Sequence, residues 1–267
     1  MNIKFKWIKR LALLMTVLIL SACGKIHRSD IANRIDEQDE PRITWGVKAD
    51  TNLFGFYNIK DQEIQGFDVD IAKALTDVMT DGKGKADFVE VTSKTRIQLL
   101  KNGNIDAIIA TMTASPERAK VVDFSDIYYD AGQNLLVPLD SPITGLDSLT
   151  SDNTVLAIKG SSSAKNIREL APQVKVLEME NYSEGFVALQ SGQGDALTTD
   201  SAILLGMMDQ TPGFHLAGDN FTEEPYGIAI DKSQKEFRDK VNAALKEIRE
   251  NGTYDKIYAK WFAHLEE

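Results

Sequence analysis

Apolar positions along this chain follow two rhythms that alternate. Continuous runs over residues 43–47, 105–110, 154–158 and 196–199 suit strands buried on both faces of a parallel sheet. Between them the apolar positions line one helical face. Ile71, Leu75, Val78 and Met79 do so first, and Phe237, Val241, Ala244, Leu245 and Ile248 later. Weaker patterns predict strands over 88–91, 174–177 and 227–230. They also predict helices over 95–101, 182–189 and 254–262, with Asn102-Gly103 and Asn251-Gly252 as stops. Strand and helix in alternation predict α/β units with largely parallel sheets.

An internal echo divides the chain. Leu100-x-x-Gly103-x-x-Asp106-Ala107 recurs as Leu189-x-x-Gly192-x-x-Asp195-Ala196, each residue displaced by 89 positions, and the same displacement carries Thr111 onto Asp200. Two lobes with a shared helix–turn–strand unit would face each other with polar strand ends in the cleft, where open α/β sheets bind ligands. On one wall, the run 105–110 gives way to Thr111 and Thr113. Ser115-Pro116-Glu117 then reads as a helix start, with Arg118 beside it. Hydroxyls, free N–H groups and a guanidinium together form a receptor for a carboxylate or phosphate; the plainer alternative is a strand–turn–helix with a solvated arginine. On the other wall, Asp200 could accept from an ammonium or cap a helix starting at Ser201. Gly160-Ser161-Ser162-Ser163 offers a second helix N-terminus. Arg118 and Asp200 on opposite walls have the charges a zwitterion needs.

The N-terminus is of another kind. Lys4, Lys6, Lys9 and Arg10 precede a ten-residue apolar stretch, 11–20, too short to span a bilayer comfortably. Residues 1–22 read as a signal peptide. Leu20-Ser21-Ala22-Cys23 resembles a bacterial lipobox, which implies lipidation of Cys23. As the only cysteine, Cys23 also rules out an intrachain disulfide. Residues 23–41 read as a flexible tether. The chain of 267 residues has a net charge of −10. Four of its 30 basic residues lie in the leader, leaving 26 against 40 acidic ones. That balance argues against nucleic acid as a partner.

Catalytic patterns are missing from the sequence. His27, His215 and His264 are scattered, and no HExxH, CxxC, GxSxG, P-loop or dinucleotide fingerprint occurs. Asp68 and Asp70 lack further ligands at metal-binding spacing and read as first-turn acids. No cofactor, metal or catalytic residue is expected.

The chain resembles the bacterial extracellular solute-binding proteins of family 3, the polar amino acid receptors of ABC importers, over residues 42–263. The resemblance is carried by Gly66-Phe67-Asp68-Val69-Asp70-Ile71-Ala72, by Asn104-Ile105-Asp106-Ala107 with Thr111-Met112-Thr113-Ala114-Ser115-Pro116-Glu117-Arg118, by Asp123-Phe124-Ser125 with Tyr128-Tyr129, and by Gly252-Thr253-Tyr254-Asp255-Lys256. It implies a type II periplasmic-binding-protein fold, two α/β lobes joined by two hinge strands. Lobe 1 would comprise 42–131 and 224–267, and lobe 2 would comprise 132–223. It further implies that Arg118, Thr113 and Ser162 hold the α-carboxylate, that Asp200 and Thr111 hold the α-ammonium, and that Phe54 forms an aromatic wall. Lys48 and Arg96, with Tyr182 and Tyr226 nearby, resemble the side-chain pocket of acidic amino acid binders. That tilts the ligand toward glutamate or aspartate, with glutamine open. The expected partners are a free amino acid and a membrane permease, with the protein monomeric and anchored outside the cell. Two alternatives share the fold. One is a dehydratase of cyclic carboxylates, using an acid such as Glu223 or Glu224. The other is a ligand-sensing domain, which would need a signalling or membrane segment that the sequence does not show.

Overall fold

The computed structural model describes residues 30–209 and 211–265. The proposed leader and Cys23 therefore lie outside the described residues. The chain opens with a short helix, α1 (Ile31–Glu37). Next come β1 (Arg42–Val47), a hairpin sheet of β2 (Asp50–Thr51), β3 (Gly55–Asn58) and β4 (Glu63–Gln65), then α2 (Phe67–Met79), β5 (Lys85–Glu90), α3 (Arg96–Lys101), β6 (Ala107–Ile108) and β7 (Asp123–Tyr129). A second series follows: β8 (Gln133–Pro138), β9 (Thr154–Ile158), α4 (Ser162–Leu170), β10 (Lys175–Met179), α5 (Tyr182–Gln190), β11 (Ala196–Asp200), α6 (Ser201–Asp209) and β12 (Phe214–Leu216). The chain then returns with β13 (Tyr226–Ile230), α7 (Lys235–Glu250) and α8 (Thr253–Phe262).

The two main sheets have matching topologies. One runs β5-β1-β6-β13-β7 and the other β10-β9-β11-β8-β12. In each, the first three strands are parallel, the fourth pairs antiparallel to the third, and the fifth pairs antiparallel to the fourth. The echoed segments form β6 and β11, each the central strand, third of five, in its sheet. This agrees with the reading of two lobes with equivalent polar strand ends. Trp45, Ala107, Ile108, Leu156 and Leu197 are fully buried, as strands covered on both faces require.

Two expectations need correction. The stretch expected to be a flexible tether contains α1, whose Ile31, Ala32 and Ile35 are buried. The Ile31 N–H donates to Gln234 Oε1 at 2.9 Å, and Arg34 pairs with Asp106 at 2.5 Å. Three apolar residues in seven were enough to dock it, which the surrounding polar composition hid. The expected helix start at Ser115-Pro116-Glu117 yields only one turn, a 3₁₀ segment over Arg118–Lys120. Ala119 N bonds Ser115 O and Val122 N bonds Arg118 O, but Asp123 already enters β7, so no helix can extend. So short a turn has little dipole to offer an anion.

Gly66 joins β4 to α2 with φ 148°, and a Cβ there would sit 2.1 Å from Phe54 O and 2.6 Å from Gly55 N. Both are backbone atoms and cannot yield. Gly66→Ala is expected to cost about 3 kcal/mol, roughly 6–12 °C in Tm, in a thermal melt; a shift below about 2 °C would show that the β2–β4 sheet moves freely.

Candidate functional site

The lobes meet along a cleft at the carboxyl ends of β1, β6, β9 and β11. From the first sheet come Lys48, after β1, and Thr111 and Thr113, after β6. Arg96 starts α3, and Arg118 lies in the 3₁₀ turn. From the second come Ser162, Tyr182 and Asp200, at the starts of α4 and α5 and the end of β11. Tyr226 begins β13, at the hinge, where Tyr226 pairs with Tyr129. The structure thus brings nine of the ten expected ligand residues to one cleft. Phe54 is the exception. Its ring makes edge contacts with Phe67, Tyr129 and Tyr226 and tilts on Phe262, at centroid distances of 5.2–6.1 Å. It is fully buried in an aromatic cluster that backs Tyr226, where four rings surround it.

The walls touch directly. Thr113 Oγ1 and Ser162 Oγ are 3.1 Å apart, and Arg118 Nη2 donates to Gly160 O at 3.2 Å. The Tyr182 N–H donates to Asp50 at 2.6 Å, and Asn52 Nδ2 donates to Gly206 O at 2.7 Å. At the rim, Glu117 pairs with Lys165 at 2.6 Å, and Glu180 pairs with Lys94 at 3.4 Å. These contacts describe a closed cleft.

Closure buries charge. Lys48 is fully buried and Arg96 is 2 % exposed. Among the described residues, no ion pair joins Lys48, Arg96, Arg118, Asp68 or Asp200 to one another. Burial lowers Lys48 to about 7, despite an attraction from Asp50, and lowers Arg96 to about 9. The Lys48 ammonium donates to Ser93 Oγ at 2.9 Å and lies 4.7 Å from the Tyr182 ring centroid. Burial likewise raises Asp200 to about 7 and draws Arg118 down. Asp200 Oδ2 accepts from Tyr226 OH at 2.5 Å. Arg118 Nη1 donates to Thr113 O at 3.0 Å, and Arg96 Nη1 donates to Ala110 O at 2.7 Å.

Three polar atoms facing this cluster, Arg96 Nε, Thr111 Oγ1 and Asp200 Oδ1, are buried without a hydrogen-bond partner in the protein. Native interiors rarely leave such groups unmatched unless the site has a further use. Thr111 also sits at φ 47°, an uncommon and costly conformation for a β-branched residue. Asp68 holds it there, accepting from Thr111 N at 2.9 Å and from Tyr128 OH at 2.9 Å. Asp68 is fully buried and pushed up to about 7 by that burial. Sequence reading placed it as a first-turn acid and missed this role. Its position in the quoted Gly66-Phe67-Asp68 motif was the available signal.

Gly160 has φ 77°, and a Cβ on it would meet Lys94 Cα and Ser93 O, both at 2.8 Å across the cleft. Gly160→Ala should therefore fold yet resist closure, lowering ligand affinity about tenfold. Small-angle scattering should show less ligand-induced compaction than wild type; an equal compaction would remove this contact from the closing surface.

Buried cations, buried acids and unmatched hydrogen-bond groups between two lobes suit a small ligand with charges of both signs. Comparisons with known proteins agree. Residues 43–264 match the bacterial extracellular solute-binding proteins, family 3. The ABC transporter glutamine-binding protein GlnH of Bacillus subtilis (strain 168) is 52% identical over 256 residues, covering 93% of each chain. The glutamine-binding protein of Geobacillus stearothermophilus is 54% identical over 196 residues, 73% of this chain and 75% of that one. Among solved structures, an ancestral arginine-binding protein bound to glutamine superposes with a TM-score of 0.78 at 39% identity, covering 83% of this chain and 97% of the other. With its two-lobed α/β fold and a match that spans nearly all of both lobes, the chain belongs to the bacterial extracellular solute-binding proteins, family 3.

Proposed function

We propose that this protein captures glutamine outside the cytoplasmic membrane and delivers it to an ABC permease. Arg118, Thr113 and Ser162 take the α-carboxylate, Asp200 and Thr111 take the α-ammonium, and Lys48 and Arg96, with Tyr182 and Tyr226, shape the side-chain pocket. The hinge lies at 131/132 and 223/224. Cys23 serves as the lipid attachment point of a monomeric receptor; its support is the Leu20-Ser21-Ala22-Cys23 sequence.

The charge balance of the closed cleft carries the choice of glutamine. Lys48 and Arg96 alone favour an acidic side chain. Asp50 and Asp68 answer them, however: both act on Lys48, and Asp68 also feels Arg96. A neutral amide can donate to these acids and accept from these cations, whereas a second ligand carboxylate would add an uncompensated buried charge. The names of the two glutamine-binding relatives support the same reading. Closure follows from contacts that the ligand makes with both walls only when they meet.

A thermal-shift screen of amino acids tests it. At about 1,000 times its Kd, glutamine should add about 4 kcal/mol, roughly 8–16 °C. Glutamate, arginine and histidine at equal concentration should shift Tm much less. A glutamate shift equal to or larger than that of glutamine would overturn the assignment.

A further inference from the structure

Glu224 is a buried acid, 3 % exposed, that the ligand set above does not include. Its N–H donates to Ala131 O at 2.6 Å, where the chain crosses between the lobes. Its Oε1 accepts from Asn166 Nδ2 at 2.6 Å and from Thr222 Oγ1 at 3.0 Å. Its Oε2 is buried and has no hydrogen-bond partner in the protein. Each neighbour leads to the site. Asn166 lies one turn after Ser162 in α4, and its Nδ2 also reaches Gln133 Oε1 at 2.9 Å. Pro225 O accepts from Ala114 N at 2.8 Å. Tyr226 bridges to Thr113 and holds Asp200. Glu224 is thus wedged at the hinge between the groups assigned to the α-carboxylate and those assigned to the α-ammonium.

We propose that Glu224 is a positioning residue that makes the α-end of the cleft require an ammonium, by placing a second buried acid beside the Arg118–Asp200 pair. Glu224 adds a negative charge at that end, next to the Asp200 carboxyl. A zwitterion compensates it, and a carboxylate without an ammonium adds to it. Glu224 repels ionised Asp200 and attracts Arg118, while Arg118 and Arg96 attract Asp200. The inference rests on the reading of Arg118 and Asp200 as the α-group site, but not on the ligand being glutamine.

The test compares glutamine with 4-carbamoylbutanoate, the same molecule without its α-ammonium, by calorimetric competition between pH 5.5 and 8.5. Glu224→Gln retains an acceptor for Asn166 and Thr222 but loses the charge. The preference for glutamine should narrow about tenfold in this variant. The acid limb of glutamine binding should move to lower pH, because Asp200 loses a repelling neighbour while Tyr226, Tyr182, Tyr129, Arg118 and Arg96 still face it. Glu224→Asp keeps the charge and should keep the preference. An unchanged preference in Glu224→Gln, or an equal loss for both ligands with an unmoved acid limb, overturns the proposal. So does a wild-type protein that binds 4-carbamoylbutanoate as tightly as glutamine. Should Glu224→Gln not fold, Glu224→Met carries the same comparison. If wild type selects another amino acid, glutamine fails as the ligand, and the pair becomes that amino acid and its des-amino acid.

Discussion

Arg118→Ala is expected to weaken glutamine binding by roughly 30-fold to several thousand-fold, the 2–5 kcal/mol that follows when one partner of a buried charge pair is removed. Arg118 has three tasks in one side chain. Nη1 is tied to Thr113 O on its own wall, which orients the guanidinium toward a ligand carboxylate, and Nη2 is tied to Gly160 O on the opposite wall in the closed cleft. Its charge is partly desolvated, which strengthens a bond to a carboxylate relative to one in water. It also joins the two lobes, so its loss should weaken closure as well as contact. Arg118→Lys separates these tasks. A point charge on a flexible stem cannot keep both carbonyls and a bidentate carboxylate, so Arg118→Lys should still lose at least tenfold. Calorimetry at neutral pH decides between the outcomes. Near-normal affinity in Arg118→Ala would remove the α-carboxylate from this position.

Much of this site could be read before the fold was known, because strand-end residues are marked by an abrupt change of polarity. The 154–158 strand and the end of the 196–199 run at Asp200 were legible for that reason. The displaced repeat identified β6 and β11 as equivalents although β6 has only two residues in formal strand pairing. What stayed hidden depends on partners distant in sequence. Nothing local shows that Asp68 meets Thr111, 43 residues away, or that Glu224 meets Asn166, 58 residues away. The β2–β4 hairpins escaped because their strands have two to four residues, too few for any periodicity. The turn at Arg118 shows the opposite error. Ser115-Pro116-Glu117 is a good helix start, yet β7 begins so soon after it that tertiary pairing overrides local preference.

Asp200→Asn should have effects of opposite sign on the liganded and unliganded protein. Asp200 Oδ2 is satisfied by Tyr226, while Oδ1 has no protein partner. In the complex, that oxygen and its charge answer the ligand ammonium. Asparagine offers a neutral carbonyl, and glutamine affinity should fall by about 30-fold or more. The pH dependence makes the assignment specific. Burial in the closed cleft raises Asp200 to about 7, and an ammonium binds only its ionised form. Wild-type affinity should therefore decline as pH falls below about 7, approaching tenfold per unit, until the lower pKa of the complex is reached. Asp200→Asn should lack that part of the decline. For stability the sign reverses. A carboxylate raised on folding takes up protons that the unfolded chain has already released, so unliganded wild type loses stability as pH rises from about 4 to 7. Asp68 adds to this slope. Replacing Asp200 with a neutral side chain removes its share. Unliganded Asp200→Asn should melt higher than wild type at pH 7.5, with the difference vanishing near pH 4. A variant that bound poorly and also melted lower at pH 7.5 would show that Asp200 serves the fold, through Tyr226, rather than the ligand.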